Sequence, residues 1–147
     1  MINALNENRP MYQERLIKES AEYHYRFTRY KVDYSILLIY ISEEDGDLSA
    51  CGEHLRDSDI LVCFQKNFCA LVFDGTKEEQ GVKASNIILS RVQNQFFAKH
   101  LYMSVITANP EKSHFQLIHD LFDLIAYSLE HNMNNLVVES SQVIEHP

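Results

Sequence analysis

Apolar residues recur along this chain with alternating periods, which predicts alternating helices and strands. Between residues 11 and 30 they recur at helical spacing, with Glu, Lys and Arg between them. Two later stretches, 77–97 and 113–130, have the same period, and Ser113 precedes the second as a candidate N-cap. Each of the three segments is therefore predicted to be a helix with one buried face.

The strands are predicted from short apolar runs between these helices. Residues 35–41 form a continuous apolar run, which is typical of a buried central strand. Residues 59–64 and 68–73 flank a polar turn, so we expect a hairpin that lies centrally in the sheet. Shorter runs at 101–108 and 136–138 complete a mixed sheet of about five strands. The predicted fold class is α+β, an α/β sandwich with helices packed on the sheet.

Composition favours one compact domain. The chain has 147 residues, of which 46% are hydrophobic, with only four Gly and three Pro. We therefore expect a single domain over 1–147, with an N-terminal arm at 1–10 and a polar tail at 139–147. No apolar run approaches the roughly 20 residues of a membrane span, and no signal peptide precedes the first charges. These features predict a cytoplasmic protein.

The net charge of −8 disfavours nucleic-acid binding, which needs a basic face. A small anionic ligand held by a few arginines remains compatible with it. The three cysteines, Cys51, Cys63 and Cys69, are expected to be buried thiols in a reducing compartment, because their number is odd and two lie in apolar strands. A disulfide framework is not expected.

Two patterns invite a metal but lack a full ligand set. Cys51 and His54 have metal-ligand spacing without a second pair nearby, so a loop thiol and a solvated imidazole are favoured over zinc. The acidic residues at 43–47 lack the spaced ligands of a calcium-binding EF-hand loop. We expect neither a metal nor a cofactor.

Four motifs, in order, resemble those of the GGDEF (diguanylate cyclase) family. The hairpin and the preceding Arg56 and Asp59 fit the family pattern of R-x-x-D, an apolar strand, the signature turn and a second apolar strand. Residues 8–12 resemble the N-R-R-x-F segment that opens the family's first helix, and residues 104–108 resemble its S-I-G-V-A strand. The resemblance implies a nucleotidyl-cyclase-like, ferredoxin-like fold in a bacterial cyclic di-GMP signalling protein. The C-terminal signature matches in register at Asp123, Tyr127, Asn135 and Val137.

The residues that carry catalysis in that family are replaced here. The family's metal-binding aspartates correspond to Tyr40 and Ser42, and its phosphate-contacting lysine corresponds to Glu130. The segment between the first strand and Arg56 is also about ten residues shorter than is usual in the family. The resemblance therefore implies a catalytically inactive, degenerate member that is not an enzyme, with an active diguanylate cyclase as a remote alternative. The five signature positions hold Gln65, Lys66, Asn67, Phe68 and Cys69.

The motif that binds the product in the family is retained. There the arginine of R-x-x-D contacts phosphate or guanine of cyclic di-GMP, and the aspartate accepts hydrogen bonds from guanine. Arg56 and Asp59 occupy these positions, although the same residues also make a good turn into a strand. Two functions stay open: a regulatory or scaffolding module that binds a protein partner or itself, and a cyclic di-GMP receptor. An exposed aromatic such as Tyr25 would suit the first.

Overall fold

The structure is a computed structural model that describes residues 2–42, 46–95 and 100–140. It confirms the α+β fold, with a mixed five-stranded sheet and helices packed on it. A helix apolar and long enough to cross a membrane is absent from these described residues. The elements, in chain order, are α1 (Ile2–Glu19), α2 (Ala21–Tyr30), β1 (Tyr34–Ile41), a 3-10 helix (Ser49–His54), β2 (Ile60–Gln65), β3 (Phe68–Asp74), α3 (Glu78–Gln95), β4 (Leu101–Thr107), α4 (His114–Glu130) and β5 (Leu136–Val138).

The strand order of the sheet is β2-β3-β1-β4-β5. β1 pairs antiparallel with both β3 and β4, and β5 pairs parallel with β4. The predicted hairpin of β2 and β3 is confirmed, but its predicted central position is wrong because β2 is an edge strand. The central strand of the sheet is β1, which lies between β3 and β4.

β1 is buried on both faces of the sheet, as its continuous apolar run predicts. Ile36 and Leu38 point into a core shared with α1, α2 and α4, whereas Leu37 and Ile39 point into a second core against α3. All four side chains are completely buried. The helices therefore cover the two faces as separate layers, and the polar loops emerge at the two ends of the strands.

The N-terminal region differs from the prediction. The expected arm is helical from Ile2 onward, and the expected single helix is divided into α1 and α2 at Ser20. Ser20 is buried, and its hydroxyl donates to the Leu16 carbonyl at 2.6 Å and contacts His114 Nε2 at 2.8 Å. The division thus lies where the first two helices meet the start of α4. Most of the predicted polar tail, residues 141–147, lies outside the described residues.

The prediction of three buried thiols is wrong for two of them. Cys63 and Cys69 lie directly opposite each other in the β2–β3 ladder, with their Cα atoms 4.1 Å apart, and form a disulfide. The number of cysteines and the cellular compartment do not reveal the hairpin register that brings these two together. Cys51 is a buried free thiol, and burial raises its pKa to about 11.

Candidate functional site

Arg56 and Asp59, the predicted ligand-binding pair, are joined by a compact turn before β2. The Asp59 amide donates to the Arg56 carbonyl at 2.9 Å, and the Arg56 amide donates to Asp59 Oδ2 at 3.0 Å. The Arg56 guanidinium then donates to the same carboxylate in a bidentate pair, Nε to Oδ2 at 3.0 Å and Nη2 to Oδ1 at 3.1 Å. The Asp59 side chain is only 3% exposed, whereas that of Arg56 is 61% exposed.

The same pair is tied to the turn between β3 and α3. The Asp74 amide donates to Asp59 Oδ1 at 2.8 Å, and Arg56 Nη2 donates to the Asp74 carbonyl at 2.6 Å. Arg56 Nη2 also reaches Thr76 Oγ1 at 3.2 Å. Gly75, with φ of +59°, provides the left-handed conformation that this turn requires. The hydrogen bonds to Asp59 raise the pKa of Arg56, so the guanidinium is both charged and fixed in position.

Arg56 lies at the edge of a cleft of about 380 Å³, which we call the Arg56 cleft. A second basic residue, Arg91 of α3, lines the same cleft. Asp59 is the one acidic residue among those lining the cleft, and its carboxylate is already engaged by Arg56 and the Asp74 amide. The cleft therefore presents a net positive surface on a chain of net charge −8. Its lining residues are Leu55, Arg56, Asp59, Phe73, Gly75, Thr76, Gln80, Ala84, Ile87, Ile88 and Arg91.

The five signature positions lie at the other end of the hairpin. Gln65 ends β2, Lys66 and Asn67 form the turn, and Phe68 and Cys69 begin β3. Next to this turn is a cavity of about 770 Å³, which we call the turn cavity. Among its described lining residues none is acidic, and Lys66 carries the one formal charge. They are Leu5, Asn8, Tyr12, Tyr40, Ser42, Gln65, Lys66, Asn67, Phe68, Ile125 and Leu129.

The backbone of this turn is held by neighbouring segments. The Leu48 amide donates to the Lys66 carbonyl at 2.7 Å, and the Ile41 amide donates to the Asn67 carbonyl at 2.9 Å. Asn67 Nδ2 donates in return to the Ile41 carbonyl at 3.0 Å. The end of β1, where Tyr40 and Ser42 lie, is thus fixed beside the signature turn. The structure brings these predicted positions together, whereas Arg56 and Asp59 lie at the opposite end of β2.

Two motif segments that the sequence analysis treated separately are in contact. Arg9 of α1 forms an ion pair with Asp123 of α4 at 2.6 Å, and its guanidinium also donates to the His119 carbonyl at 3.0 Å. Arg9 lies 5.9 Å from the centre of the Phe122 ring, in a cation–π arrangement. Arg9 therefore links α1 to α4, two helices that both contribute lining residues to the turn cavity.

Sequence reasoning missed a cluster of His119, Asp120 and Asp123 on α4, whose potential ligand atoms lie within 4.8 Å of one another. The spacing of three and four residues along a helix was the available signal. Asp123 is already paired with Arg9, and Asp120 accepts from Lys112 Nζ at 2.7 Å. Because cations of the chain already neutralise both carboxylates, the cluster reads as an ion-pair network rather than a metal site.

No protein-family model matches this sequence, and no curated protein resembles it significantly. Solved structures do resemble the fold. The GGDEF domain of DgcB from Caulobacter crescentus, in complex with c-di-GMP, aligns with a TM-score of 0.71 over 86% of each chain at 10% identity. The chain has the fold of GGDEF domains. Diguanylate cyclase SiaD from Pseudomonas aeruginosa, in complex with its activator SiaC, aligns at 0.65 and 12% identity over 87% of this chain and 58% of that one.

These similarities contradict the prediction that the chain is not an enzyme. An active GGEEF domain of a diguanylate cyclase from Vibrio cholerae aligns with a TM-score of 0.61 at 14% identity, over 80% of this chain and 89% of that one. The fold is thus that of domains with cyclase activity. The prediction rested on the residues at positions aligned with the family's metal ligands, although Glu43, Glu44 and Asp45 follow directly after Ser42 in the chain. These three lie outside the described residues, so the replaced letters alone do not establish inactivity.

Proposed function

We propose that this chain is a regulatory module of cyclic di-GMP-type signalling that binds cyclic di-GMP in the Arg56 cleft. The observation that carries the proposal is the exposed, immobilised guanidinium of Arg56 beside a second arginine, Arg91, in one cleft. Cyclic di-GMP offers two phosphodiesters and two guanines. Arg56 can donate from Nη1 to a phosphate oxygen or to guanine, because its Nε and Nη2 already bond within the turn. The Arg91 guanidinium can donate two parallel hydrogen bonds, either to phosphate oxygens or to guanine O6 and N7.

Asp59 has a supporting role in this proposal. Its carboxylate already accepts from the Arg56 amide, from Arg56 Nε and Nη2, and from the Asp74 amide. We therefore assign the guanine-contacting role, which the family resemblance gives to the aspartate, to neighbouring groups of the cleft. Asp59 acts by holding Arg56 in place, which reduces the entropy that the arginine side chain would lose on binding.

The apolar part of the cleft adds a surface for the bases. Ile87 is exposed on α3, and Phe73 and Ile88 lie beneath the cleft. A guanine ring can bury its face against such side chains while its edge meets a guanidinium. Exposed Asp57 and Glu53 nearby oppose a dianion, so we expect a dissociation constant in the micromolar range.

Calorimetric titration of the purified chain with cyclic di-GMP tests the proposal. Arg56→Ala and Arg91→Ala should each weaken binding at least about tenfold, because each removes a charge-assisted contact. Asn67→Ala, at the far end of the hairpin, is the matched control and should leave the affinity unchanged. Neither heat nor a chemical-shift change at a large excess of cyclic di-GMP would refute the proposal.

A second candidate function, binding to a protein partner or to another copy of the chain, is favoured by two aromatic residues on α2. Tyr25 and Tyr30 are 58% and 65% exposed, and their rings meet edge-to-face with centroids 6.4 Å apart. Tyr25 was expected to be exposed. Exposed aromatic pairs of this kind are enriched at protein interfaces.

Analytical ultracentrifugation over a range of protein concentrations tests self-association through this surface. The double variant Tyr25→Ser, Tyr30→Ser should shift the chain toward the monomer, because it removes the aromatic area that would be buried. Met11→Ser on α1, also a highly exposed apolar residue, serves as the control. An unchanged sedimentation profile in the double variant would contradict self-association through α2.

A further inference from the structure

We propose that the turn cavity binds a small amphipathic organic anion, with an aromatic or apolar body and a single acidic group. This inference concerns the signature end of the hairpin and does not depend on the Arg56 cleft. Its volume of about 770 Å³ falls within the range of roughly 300–1,000 Å³ that is typical of small-molecule sites. The class of ligand follows from the walls and from the charge of the cavity.

The inner wall of the cavity is apolar and aromatic. Leu5 of α1 and Ile125 of α4 are buried beside it, and the ring of Phe68 lies between that of Tyr12, at 5.3 Å, and that of Tyr40, at 6.0 Å. Both ring pairs meet edge-to-face, so the aromatic rings form a continuous surface rather than isolated side chains. Such a wall favours a flat or apolar body over a fully solvated ligand.

The described mouth of the cavity carries one positive charge, that of Lys66, on a turn whose backbone is held by neighbouring segments. Lys66 is exposed, and its carbonyl is bonded to the Leu48 amide while the neighbouring Asn67 is bonded to Ile41 through backbone and side chain. Among the described residues that line the cavity, Lys66 is the one charged side chain. Gln65 and Asn67 add amide groups beside the lysine, which can donate to an acidic group. One cation at a polar mouth above an apolar wall matches a monoanion with an apolar body.

The test compares two probes that share a naphthalene body, one with an anionic and one with a neutral polar group. We would titrate 2-naphthalenesulfonate and its neutral analogue 2-naphthol into the ¹⁵N-labelled chain and follow the amide chemical shifts. The sulfonate should shift the amides of Tyr12, Lys66 and Phe68 and bind at least about tenfold more tightly than the naphthol. Lys66→Glu should abolish this preference, whereas Lys83→Glu, the same charge change on the exposed face of α3, should retain it.

Equal affinity for the two probes would overturn the proposal, as would a preference that survives Lys66→Glu. Displacement of the sulfonate by GTP with Mg²⁺ would also overturn it, because the cavity would then be a nucleotide site. Arg56→Ala should leave the titration unchanged. Failure of cyclic di-GMP binding at the Arg56 cleft and failure of anion binding at the turn cavity are therefore separate results.

Discussion

The Asp59→Asn variant tests whether the aspartate stabilises the Arg56 turn. In the native turn one nearly buried carboxylate accepts four hydrogen bonds, three from Arg56 and one from the Asp74 amide. An asparagine keeps one acceptor oxygen, and its NH₂ group faces donors. At least two of the four bonds are therefore lost, including a charge-assisted one.

We expect this change to cost about 2–4 kcal/mol in the free energy of unfolding, after allowing for the exposed arginine. Urea denaturation of Asp59→Asn and of the control Asp57→Asn, whose side chain is exposed, measures it directly. In Asp59→Asn the Arg56 side chain is no longer held in place, so it loses more conformational entropy when a ligand binds. Affinity for cyclic di-GMP should therefore also fall about tenfold. If the two variants agree within about 0.5 kcal/mol, the carboxylate does not stabilise this turn.

Three further predictions concern the rest of the fold. Burial lowers the pKa of His114 to about 4; because the unfolded chain binds this proton below pH about 6.5, the unfolding free energy should fall between pH 6.5 and 4, by about 1–2 kcal/mol after allowing for the partial exposure of the ring, and urea midpoints should lose this dependence in His114→Gln. Gly81→Ala should destabilise by about 1–3 kcal/mol despite the better helix propensity of alanine, because the new Cβ would lie 2.6 Å from Ser35 Oγ; thermal unfolding in which the variant matches or exceeds the wild type would contradict this. Alkylation without a reductant should modify one cysteine of three under denaturing conditions, since Cys63 and Cys69 are bonded; mass spectrometry that finds three modified residues would exclude the disulfide.

Periodicity predicted most of the fold because the strands β1, β3 and β4 are mostly buried. β1 could be identified from seven consecutive mostly apolar residues, since helices cover both of its faces. Ser113 could be identified as an N-cap because its hydroxyl needs only the local Gln116 amide, 3.1 Å away. The strand and the N-cap depend on neighbouring residues in the chain or on the burial of a single element. The local order of apolar and polar residues therefore predicts them.

The order of the strands and the division of the first helix depend on distant contacts. Whether β2 is central or at an edge is decided by where β4 returns, which hydrophobic spacing within residues 60–65 does not encode. The division at Ser20 coincides with a contact to His114, 94 positions along the chain. His114 in turn stacks on His24 with ring centroids 4.5 Å apart, and no local pattern marks that pair. The register that places Cys63 opposite Cys69 is likewise a feature that no local sequence pattern marks.

From the sequence, the Arg56–Asp59 pair could be interpreted either as a ligand site or as a structural turn. The geometry makes these two roles compatible. The Asp59 carboxylate accepts four hydrogen bonds within the turn, whereas more than half of the Arg56 side chain stays exposed. A carboxylate with four donors cannot also serve a guanine without releasing one of them. An arginine that shares Nε and Nη2 with that carboxylate still has Nη1 to offer a ligand. The turn therefore holds the Arg56 guanidinium in place before a ligand binds. We accordingly expect Arg56 and Arg91 to provide most of the binding energy, and Asp59 to contribute mainly to the free energy of unfolding.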